Sequence, residues 1–291
     1  MYPSRFRYEC PRSIEEAYSL LADGGGDAKI LAGGQSLVPM IKLRFASPEM
    51  LVDINELPGL DYLKHGDDGS FHFGALCRHV DLERSSVLAT RQPTMAAAAP
   101  LVADPIVRNR GTLVGSLCHA DPQGDWASVM TSLDGLVVAE GPKGRRTIPV
   151  KEFVRGPFQN VLAIDEIVIE AIVPAPQGVP AGGYLKLERR VGDFATVGVA
   201  VSIDRVAGKV GRAGIGLTGV GGSTISADAA SRILVGKALN EEAIGEAAEL
   251  AAQAADPRTD HRGSASYKRQ VVRVFTSRIL TKLLRSEEVA A

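Results

Sequence analysis

Two stretches of the chain carry the small and polar residues that could bind a phosphorylated ligand. In the first, an apolar run ends at Gly33-Gly34, and Gln35, Ser36 and an amphipathic segment follow. A strand that turns through paired glycines exposes backbone N–H groups, and these can bind phosphate oxygens without a lysine or arginine. We therefore predict an anion-binding turn, with the N–H groups of residues 34–37 and the Ser36 hydroxyl as donors.

The second stretch, residues 108–125, combines small residues with two acids. Gly111-Thr112 and Gly115-Ser116 frame a short turn, and Asp121 and Asp125 follow it. One interpretation is structural, a glycine-bearing bend with a helix beginning at the first of these acids. The other is functional, because small residues let a backbone approach a diphosphate and a carboxylate accepts hydrogen bonds from ribose hydroxyls. The residues by themselves favour neither interpretation.

Three further patterns could indicate catalysis, but the residues around them argue against it. Residues 214–219 match G-x-G-x-x-G, but no helix pattern follows and their apolar residues alternate as in a strand. Residues 34–38 resemble a nucleophile elbow that lacks its second glycine. The five histidines are scattered without the spacing of a triad or a metal site. We therefore predict no nicotinamide site, no hydrolase triad and no metal site.

Composition limits the class of protein. The 291 residues predict more than one subdomain, and 45% hydrophobic with 23% charged residues is ordinary for a soluble globular protein. The net charge of −1 does not favour nucleic acid as a partner. Cys10, Cys77 and Cys118 lie far apart, which argues against disulfides, zinc or an iron–sulfur cluster held by this chain alone. With no apolar membrane-spanning run and no signal-peptide pattern, we expect a cytoplasmic protein.

The periodicity of apolar residues predicts three regions in succession. Residues 1–57 are predicted to form a small βαβ unit, and residues 58–175 a mainly antiparallel β-region with one helix at 94–103 and a hairpin tip at 140–145. A Pro- and Gly-rich stretch at 174–183 predicts a linker. The remainder, 176–291, is predicted to contain strands at 184–187, 195–203 and 211–218 and helices at 226–239, 241–255 and 267–284.

The last predicted helix has an apolar stripe with two interpretations. Val272, Phe275, Ile279 and Leu283 recur at helical spacing. Such a stripe either meets another protein or covers the core of its own domain. We favour the second interpretation.

The two polar stretches together resemble one known family. ILAGGQSLVPMIKLR, residues 30–44, resembles the signature A-G-G-[HQ]-S-L-x-P, and RNRGTLVGSLCHADPQGD, residues 108–125, resembles T-x-G-G-[SN]-x-x-x-A-D-P-x-x-D. Both signatures belong to the FAD-binding medium subunits of molybdenum hydroxylases, the xanthine dehydrogenase and aerobic carbon monoxide dehydrogenase family. Similar residues recur at 51–54, 190–194 and 219–221, so the resemblance extends along almost the whole chain.

The resemblance implies a fold and a cofactor. The fold is of α+β class, a p-cresol-methylhydroxylase-type (vanillyl-alcohol-oxidase-like) FAD-binding fold. It comprises a small βαβ domain at 1–57, a mainly antiparallel β-domain at 58–175 and a C-terminal α+β domain at 176–291 with a three-stranded sheet and helices. FAD would be held non-covalently. Cys118 and His119 are the residues nearest the second signature that could attach it covalently.

The resemblance also implies the residues that contact FAD. Asp125 would bind ribose, Val168 and Lys186 match flavin-contacting positions, and Phe194 matches an aromatic position beside the isoalloxazine. Asp121 belongs to the same signature as Asp125. The diphosphate would be wrapped by Ala32, Gly33, Gly34, Gln35, Ser36 and Leu37 from the first signature, and by Thr112, Leu113, Val114, Gly115 and Ser116 from the second.

One position departs from the family pattern. Val114 stands where the family usually has the first of two glycines. A β-branched residue does not take a positive φ cheaply. We therefore expect either an extended backbone at Val114 or a slightly displaced cofactor.

The function implied is electron transfer without a catalytic residue on this chain. Substrate would be oxidised at a molybdopterin on a large subunit, electrons would cross two [2Fe–2S] clusters on a small subunit, and FAD here would pass them to an external acceptor. The complex would be a dimer of heterotrimers in the cytoplasm, with peripheral attachment at the inner face of the membrane as an alternative. Two other functions stay open: a self-sufficient flavin oxidase and a scaffold subunit without flavin.

Overall fold

A three-stranded parallel sheet forms the N-terminal part of the protein. The computed structural model describes residues 2–290, with side chains as far as residue 286. The central strand, β3, pairs in parallel with both β1 and β2, which confirms the predicted βαβ unit. Its elements are β1 (Arg7–Glu9), α1 (Ile14–Asp23), β2 (Ala28–Leu31), α2 (Leu37–Lys42) and β3 (Met50–Asp53). Because the strands are parallel, their carboxyl ends meet at one edge, where ligands commonly bind in such sheets.

The second region is built around a five-stranded antiparallel sheet with the order β4-β5-β10-β6-β7. The predicted hairpin is present, since Gly141 pairs with Gly144 at the tip between β6 and β7. Strands β8 and β9 form a separate two-stranded ribbon. The strands are β4 (Leu63–His65), β5 (Phe71–Gly74), β6 (Leu136–Gly141), β7 (Gly144–Pro149), β8 (Val154–Gly156), β9 (Gln159–Asn160) and β10 (Ile167–Val173).

This region also contains more helix than the sequence predicted. Seven short helices lie within it, whereas periodicity predicted one. Most of these helices are too short for apolar residues to recur at helical spacing. The alternation of apolar and polar residues in the neighbouring strands therefore dominated the sequence pattern of the region. The helices are α3 (His79–Arg84), α4 (Ser86–Arg91), α5 (Pro93–Ala98), α6 (Pro105–Arg108), α7 (Leu113–His119), α8 (Asp125–Ser132) and α9 (Val150–Phe153).

The C-terminal region has its own sheet and its own core. Three long antiparallel strands and a short fourth form the order β11-β12-β13-β14. Helices α11 and α12 pack on each other, and α12 also packs against β12. The elements are β11 (Val179–Leu187), β12 (Val197–Val206), β13 (Lys209–Thr218), β14 (Ile225–Ser226), α10 (Asp228–Arg232), α11 (Glu241–Ala254) and α12 (Ala265–Ala290).

The predicted linker and one predicted helix are wrong in extent. Strand β11 begins at Val179, so Gly182 and Gly183 lie inside a strand. A Cβ at Gly182 would overlap the Thr94 hydroxyl, so this glycine permits α5 to pack closely on β11. The helix predicted at 226–239 is shortened to α10, because Gly236 takes a φ of 82° and its N–H donates to the Val210 oxygen.

The first two glycines of the stretch 214–219 belong to a strand, as the alternation predicted, and Gly219 follows the end of that strand with a φ of 76°. Gly214 and Gly216 lie in β13, where it packs against α8. A Cβ on either would overlap the Ser132 or Ser128 carbonyl oxygen of that helix. These glycines therefore allow the C-terminal sheet to approach the second region.

The apolar stripe on the last helix covers the core of its own region. Val272, Ile279 and Leu283 are buried, and Phe275 packs against the same cluster. The interface interpretation of the stripe is therefore wrong, and the interpretation that we favoured is confirmed.

Candidate flavin site

The two predicted binding segments meet at a glycine contact. The turn after β2 places Gly33 against the chain that leads into α7. A Cβ added to Gly33 would lie 2.7 Å from the Gly111 Cα and would overlap the Arg110 carbonyl oxygen. Only glycine therefore fits at residue 33. The fold thus brings together two segments that are far apart in sequence, at the carboxyl edge of the parallel sheet.

The first segment presents open backbone donors. Gly34 has a φ of 72°, a left-handed conformation that favours glycine, and its carbonyl accepts the Val38 N–H at 2.9 Å. Within the part of the chain that the structure describes, the N–H groups of Gly34, Gln35 and Ser36 have no protein acceptor. Ala32 and Leu37 flank this turn at the end of β2 and the start of α2. The turn can therefore donate several hydrogen bonds to an anion.

The second segment is the first turn of a helix, and this corrects the expectation for Val114. Thr112 caps α7, and its hydroxyl accepts the Gly115 N–H at 3.0 Å. Val114 lies buried in that helix. Its backbone is therefore neither extended nor left-handed, and a valine is accommodated without strain. Leu113 and Ser116 also use their N–H groups within the protein, so this segment has fewer open donors than the first.

Two residues that the sequence analysis missed hold these segments together. Asn55 follows β3, and its amide donates to the Ala32 carbonyl at 2.9 Å. Arg78 donates to the Asn55 side-chain oxygen at 2.7 Å and to the Arg110 carbonyl at 2.6 Å. This bridge runs from the end of β2 to the chain before α7. Neither residue belongs to a motif. Their role in joining the two segments follows only from contacts between parts of the chain that are distant in sequence.

Asp125 lies at the centre of a buried polar network. It is the first residue of α8, and its two carboxylate oxygens accept the Tyr184 hydroxyl at 2.6 Å and the Lys186 ammonium at 3.0 Å. Burial raises the pKa of the Asp125 carboxyl, and the Lys186 charge and the Tyr184 hydrogen bond oppose that rise. A carboxylate has about four acceptor positions, so ribose hydroxyls could still bind. The ribose contact stays a prediction.

Lys186 reaches back to the second region. Its ammonium also donates to the Leu101 carbonyl at 2.9 Å and lies 3.4 Å from Glu188. The side chain is only 2% exposed. Its charge is therefore compensated largely by the protein itself, and β11 is tied to α8 through it.

The remaining predicted residues lie in three separate parts of the fold: the turn between α7 and α8, strand β10, and the loop between β11 and β12. Asp121 forms a turn in which its carboxylate accepts the Gln123 N–H at 2.8 Å. Val168 is buried in β10 next to a bulge. Phe194 is 50% exposed, on a loop where its carbonyl accepts a hydrogen bond from Arg262. The structure thus leaves the aromatic ring of Phe194 accessible to a ligand.

The residues present fit FAD. Gly33 lets the two segments approach each other, and the open N–H groups of the turn after β2 suit a diphosphate. Among the described residues, no group of His, Cys, Asp and Glu side chains could hold a metal ion. In the same part of the chain, no helix is long and apolar enough to span a membrane.

Two family models together match most of the chain. The family described as the FAD binding domain in molybdopterin dehydrogenase matches residues 4–176, and the carbon monoxide dehydrogenase flavoprotein C-terminal domain matches residues 183–283. The fold and site define a flavoprotein subunit of an oxidoreductase. The chain belongs to the FAD-binding medium subunits of molybdenum hydroxylases, the family of carbon monoxide dehydrogenase and xanthine dehydrogenase.

Individual relatives match over nearly the full length. The carbon monoxide dehydrogenase medium chain of Hydrogenophaga pseudoflava is 40% identical over 280 residues, covering 96% of this chain and 97% of the relative. The 6-hydroxypseudooxynicotine dehydrogenase complex subunit alpha of Paenarthrobacter nicotinovorans is 40% identical over 286 residues, covering 98% and 96%. A solved carbon monoxide dehydrogenase structure from H. pseudoflava matches with a TM-score of 0.92 at 41% identity, covering 97% of this chain and 98% of that one.

Proposed function

We propose that this chain carries the FAD through which a molybdenum hydroxylase delivers electrons to an external acceptor. When bound, the flavin accepts electrons singly or in pairs, which suits it to link one-electron clusters to a two-electron acceptor. The chain's own residues bind and orient the flavin. The observation that carries this proposal is the contact of Gly33 with Gly111, which joins both predicted diphosphate-binding segments in one site.

The partners proposed are a small subunit with two [2Fe–2S] clusters and a large subunit with molybdopterin, assembled as a dimer of heterotrimers. The free cysteines support this division. Cys10, Cys77 and Cys118 form no cluster-binding set among the described residues, so clusters that feed the flavin would lie on another chain. The complex is proposed to be cytoplasmic, with peripheral attachment at the inner face of the membrane as the alternative.

The relatives do not select a substrate for the complex. Two medium chains with the same 40% identity carry names with different substrates, carbon monoxide and 6-hydroxypseudooxynicotine. This pair of relatives is what we expect if the proposed large subunit recognises the substrate and this chain carries the flavin. The same similarity does not distinguish among quinone, NAD and oxygen as the external acceptor.

The domain limits 1–57, 58–175 and 176–291 are part of the proposal. Each of these stretches has a sheet of its own. One apolar core is formed by the first two stretches together with Tyr184 and Ala200, and a second core lies within the third stretch. We therefore expect the third to be the most separable in stability measurements.

The experiment is purification of the native complex through a tag on this chain. We expect flavin, iron and molybdenum in the proportion that two [2Fe–2S] clusters require, and flavin bleaching when the substrate of the complex is added. The chain expressed alone should not oxidise that substrate in a dye-coupled assay. Activity should appear only when the other two subunits are added.

Two outcomes would support the rival functions. A complex that contains molybdenum and iron but no flavin would show that this chain is a scaffold. Substrate turnover by the isolated chain, without molybdenum or iron, would show a self-sufficient flavin oxidase.

A further inference from the structure

His79 occupies a position beside the proposed flavin site that no motif assigned. It is the first residue of α3, is 5% exposed, and its backbone N–H donates to the Gly111 carbonyl at 2.9 Å. The preceding residue, Arg78, forms a β-bridge with Thr112. His79 is therefore fixed at the start of the second binding segment through its main chain.

The imidazole of His79 is held in one tautomer. The Trp126 indole N–H donates to His79 Nδ1 at 3.0 Å. An indole nitrogen can only donate, so Nδ1 must be the unprotonated nitrogen of a neutral ring. The proton of the neutral imidazole is then on Nε2. Trp126 is fully buried in α8, so its indole has little freedom to release this geometry.

The opposite edge of the ring faces the glycine of the second segment. A Cβ added to Gly111 would lie 2.8 Å from His79 Cδ2 and 2.9 Å from Nε2. Gly111 is also the residue that Gly33 touches, so the Nε2 edge lies beside the junction of both segments. Within the described residues, no side-chain or backbone acceptor takes the Nε2 proton. Nε2 is also not among the fully buried side-chain atoms that lack a partner in the described residues, so it keeps some access from outside the protein, and an oxygen of a bound ligand can accept its hydrogen bond.

We propose that His79 is a further cofactor-binding residue, which donates its Nε2–H to an anionic oxygen of the FAD diphosphate. The inference rests on the proposed function. Trp126 is the positioning residue, because its indole sets the tautomer that places the proton on Nε2. The geometry needs a neutral imidazole, and burial together with the Arg108 and Arg78 charges lowers the pKa of His79 to about 4. Gly111 then serves two contacts, one with Gly33 and one with the imidazole.

Two substitutions separate this donor role from a purely structural one. In His79→Asn, the amide can replace Nδ1 and keep the Trp126 hydrogen bond, but it does not reach the Nε2 position. In His79→Gln, the amide can place a donor near the Nε2 position, while the Trp126 bond is weakened. A cofactor donor predicts weaker FAD binding in the Asn variant, whereas a structural role predicts the greater damage in the Gln variant.

The measurement is FAD titration of the deflavinated complex, with ³¹P NMR of the bound cofactor. We expect His79→Asn to bind FAD about ten- to a hundredfold more weakly, as for loss of a hydrogen bond to a charged group. His79→Gln should stay closer to the wild type. One of the two diphosphate resonances should move in the Asn variant. An exposed histidine supplies the control, since His261→Asn should change neither quantity.

The outcomes distinguish this inference from the proposed function. Wild-type affinity and unmoved phosphorus resonances in His79→Asn would overturn the donor role while leaving FAD binding intact. Equal weakening in both variants with unmoved resonances would show that the ring only packs, and would also overturn it. A wild-type complex without FAD would overturn the proposed function and this inference together.

Discussion

Gly33 and Gly111 touch so closely that a Cβ on Gly33 would lie 2.7 Å from the Gly111 Cα. This contact joins the turn after β2 to the start of α7. Arg78 and Asn55 brace it from the side through hydrogen bonds to the Arg110 and Ala32 carbonyls. The geometry of the proposed flavin site therefore depends on backbone packing as well as on the groups that would contact the cofactor.

The first prediction concerns Gly33→Ala. The added methyl must push the two segments apart, at a cost of about 1–3 kcal/mol in the free energy of unfolding. We expect FAD affinity to fall by about tenfold or more. Urea unfolding and FAD titration measure the two effects. Gly26→Ala is the matched control, since a Cβ there meets nothing within 4 Å. Unchanged FAD affinity in Gly33→Ala would contradict the prediction.

The second prediction concerns Asp125. Asp125→Ala leaves the buried Lys186 ammonium without its carboxylate, which should lower stability by about 3–5 kcal/mol. If Asp125 also binds ribose, FAD affinity should fall about ten- to a hundredfold. Tyr184→Phe is the comparison, because it removes the hydroxyl that donates to the same carboxylate and leaves the proposed ribose contact of Asp125 in place. Equal FAD affinity for Asp125→Ala and Tyr184→Phe, after correction for stability, would show that Asp125 is only structural.

The third prediction is that FAD is bound non-covalently. Burial raises the pKa of the Cys118 thiol to about 12, so the nucleophilic thiolate is scarce at neutral pH. His119 packs its ring against Phe158 at 5.2 Å between centroids. Acid precipitation should therefore release the yellow colour into the supernatant. Colour that stays in the pellet would point to covalent attachment, and Cys118→Ala and His119→Gln would then identify the residue.

The fourth prediction is a pH dependence of stability that arises from His79. Its pKa is lowered from 6.5 to about 4 in the folded protein. Unfolding therefore takes up a proton between these values, and stability falls as the pH is lowered through this window, by up to about 3 kcal/mol. Urea unfolding of the flavin-free chain should show a flatter pH dependence in His79→Gln. His261→Gln, at an exposed site, should keep the wild-type dependence.

The fifth prediction tests the packing of α8 on β13. Gly216→Ala places a methyl group on the Ser128 carbonyl, which should cost about 1–3 kcal/mol or more. Gly222→Ala is the control, since a Cβ there meets nothing within 4 Å. The control should lie within about 0.5 kcal/mol of the wild type. Thermal melting of both variants is sufficient, and equal melting temperatures would contradict the prediction.

The sequence alone determined the features that depend on neighbouring residues. The hairpin at 140–145 and the strand character of the alternating residues before Gly219 follow from local spacing, and the structure confirms them. The resemblance of residues 30–44 and 108–125 to known signatures indicated FAD and the family. Each of these features lies within a short stretch of sequence. Over such a stretch, backbone propensity and the spacing of apolar residues decide the conformation.

Only the tertiary structure decided which distant residues meet. It turned the segment with Val114 into a helix start, which removed the expected strain, and it joined Asp125 to Lys186. It also placed His79 between Trp126 and Gly111. Contacts of this kind depend on how separate elements pack, and a single sequence carries no local period that reports them. Most strands and the last two helices could therefore be predicted, whereas the short helices of the second region and the contacts of Asn55, Arg78 and His79 could not.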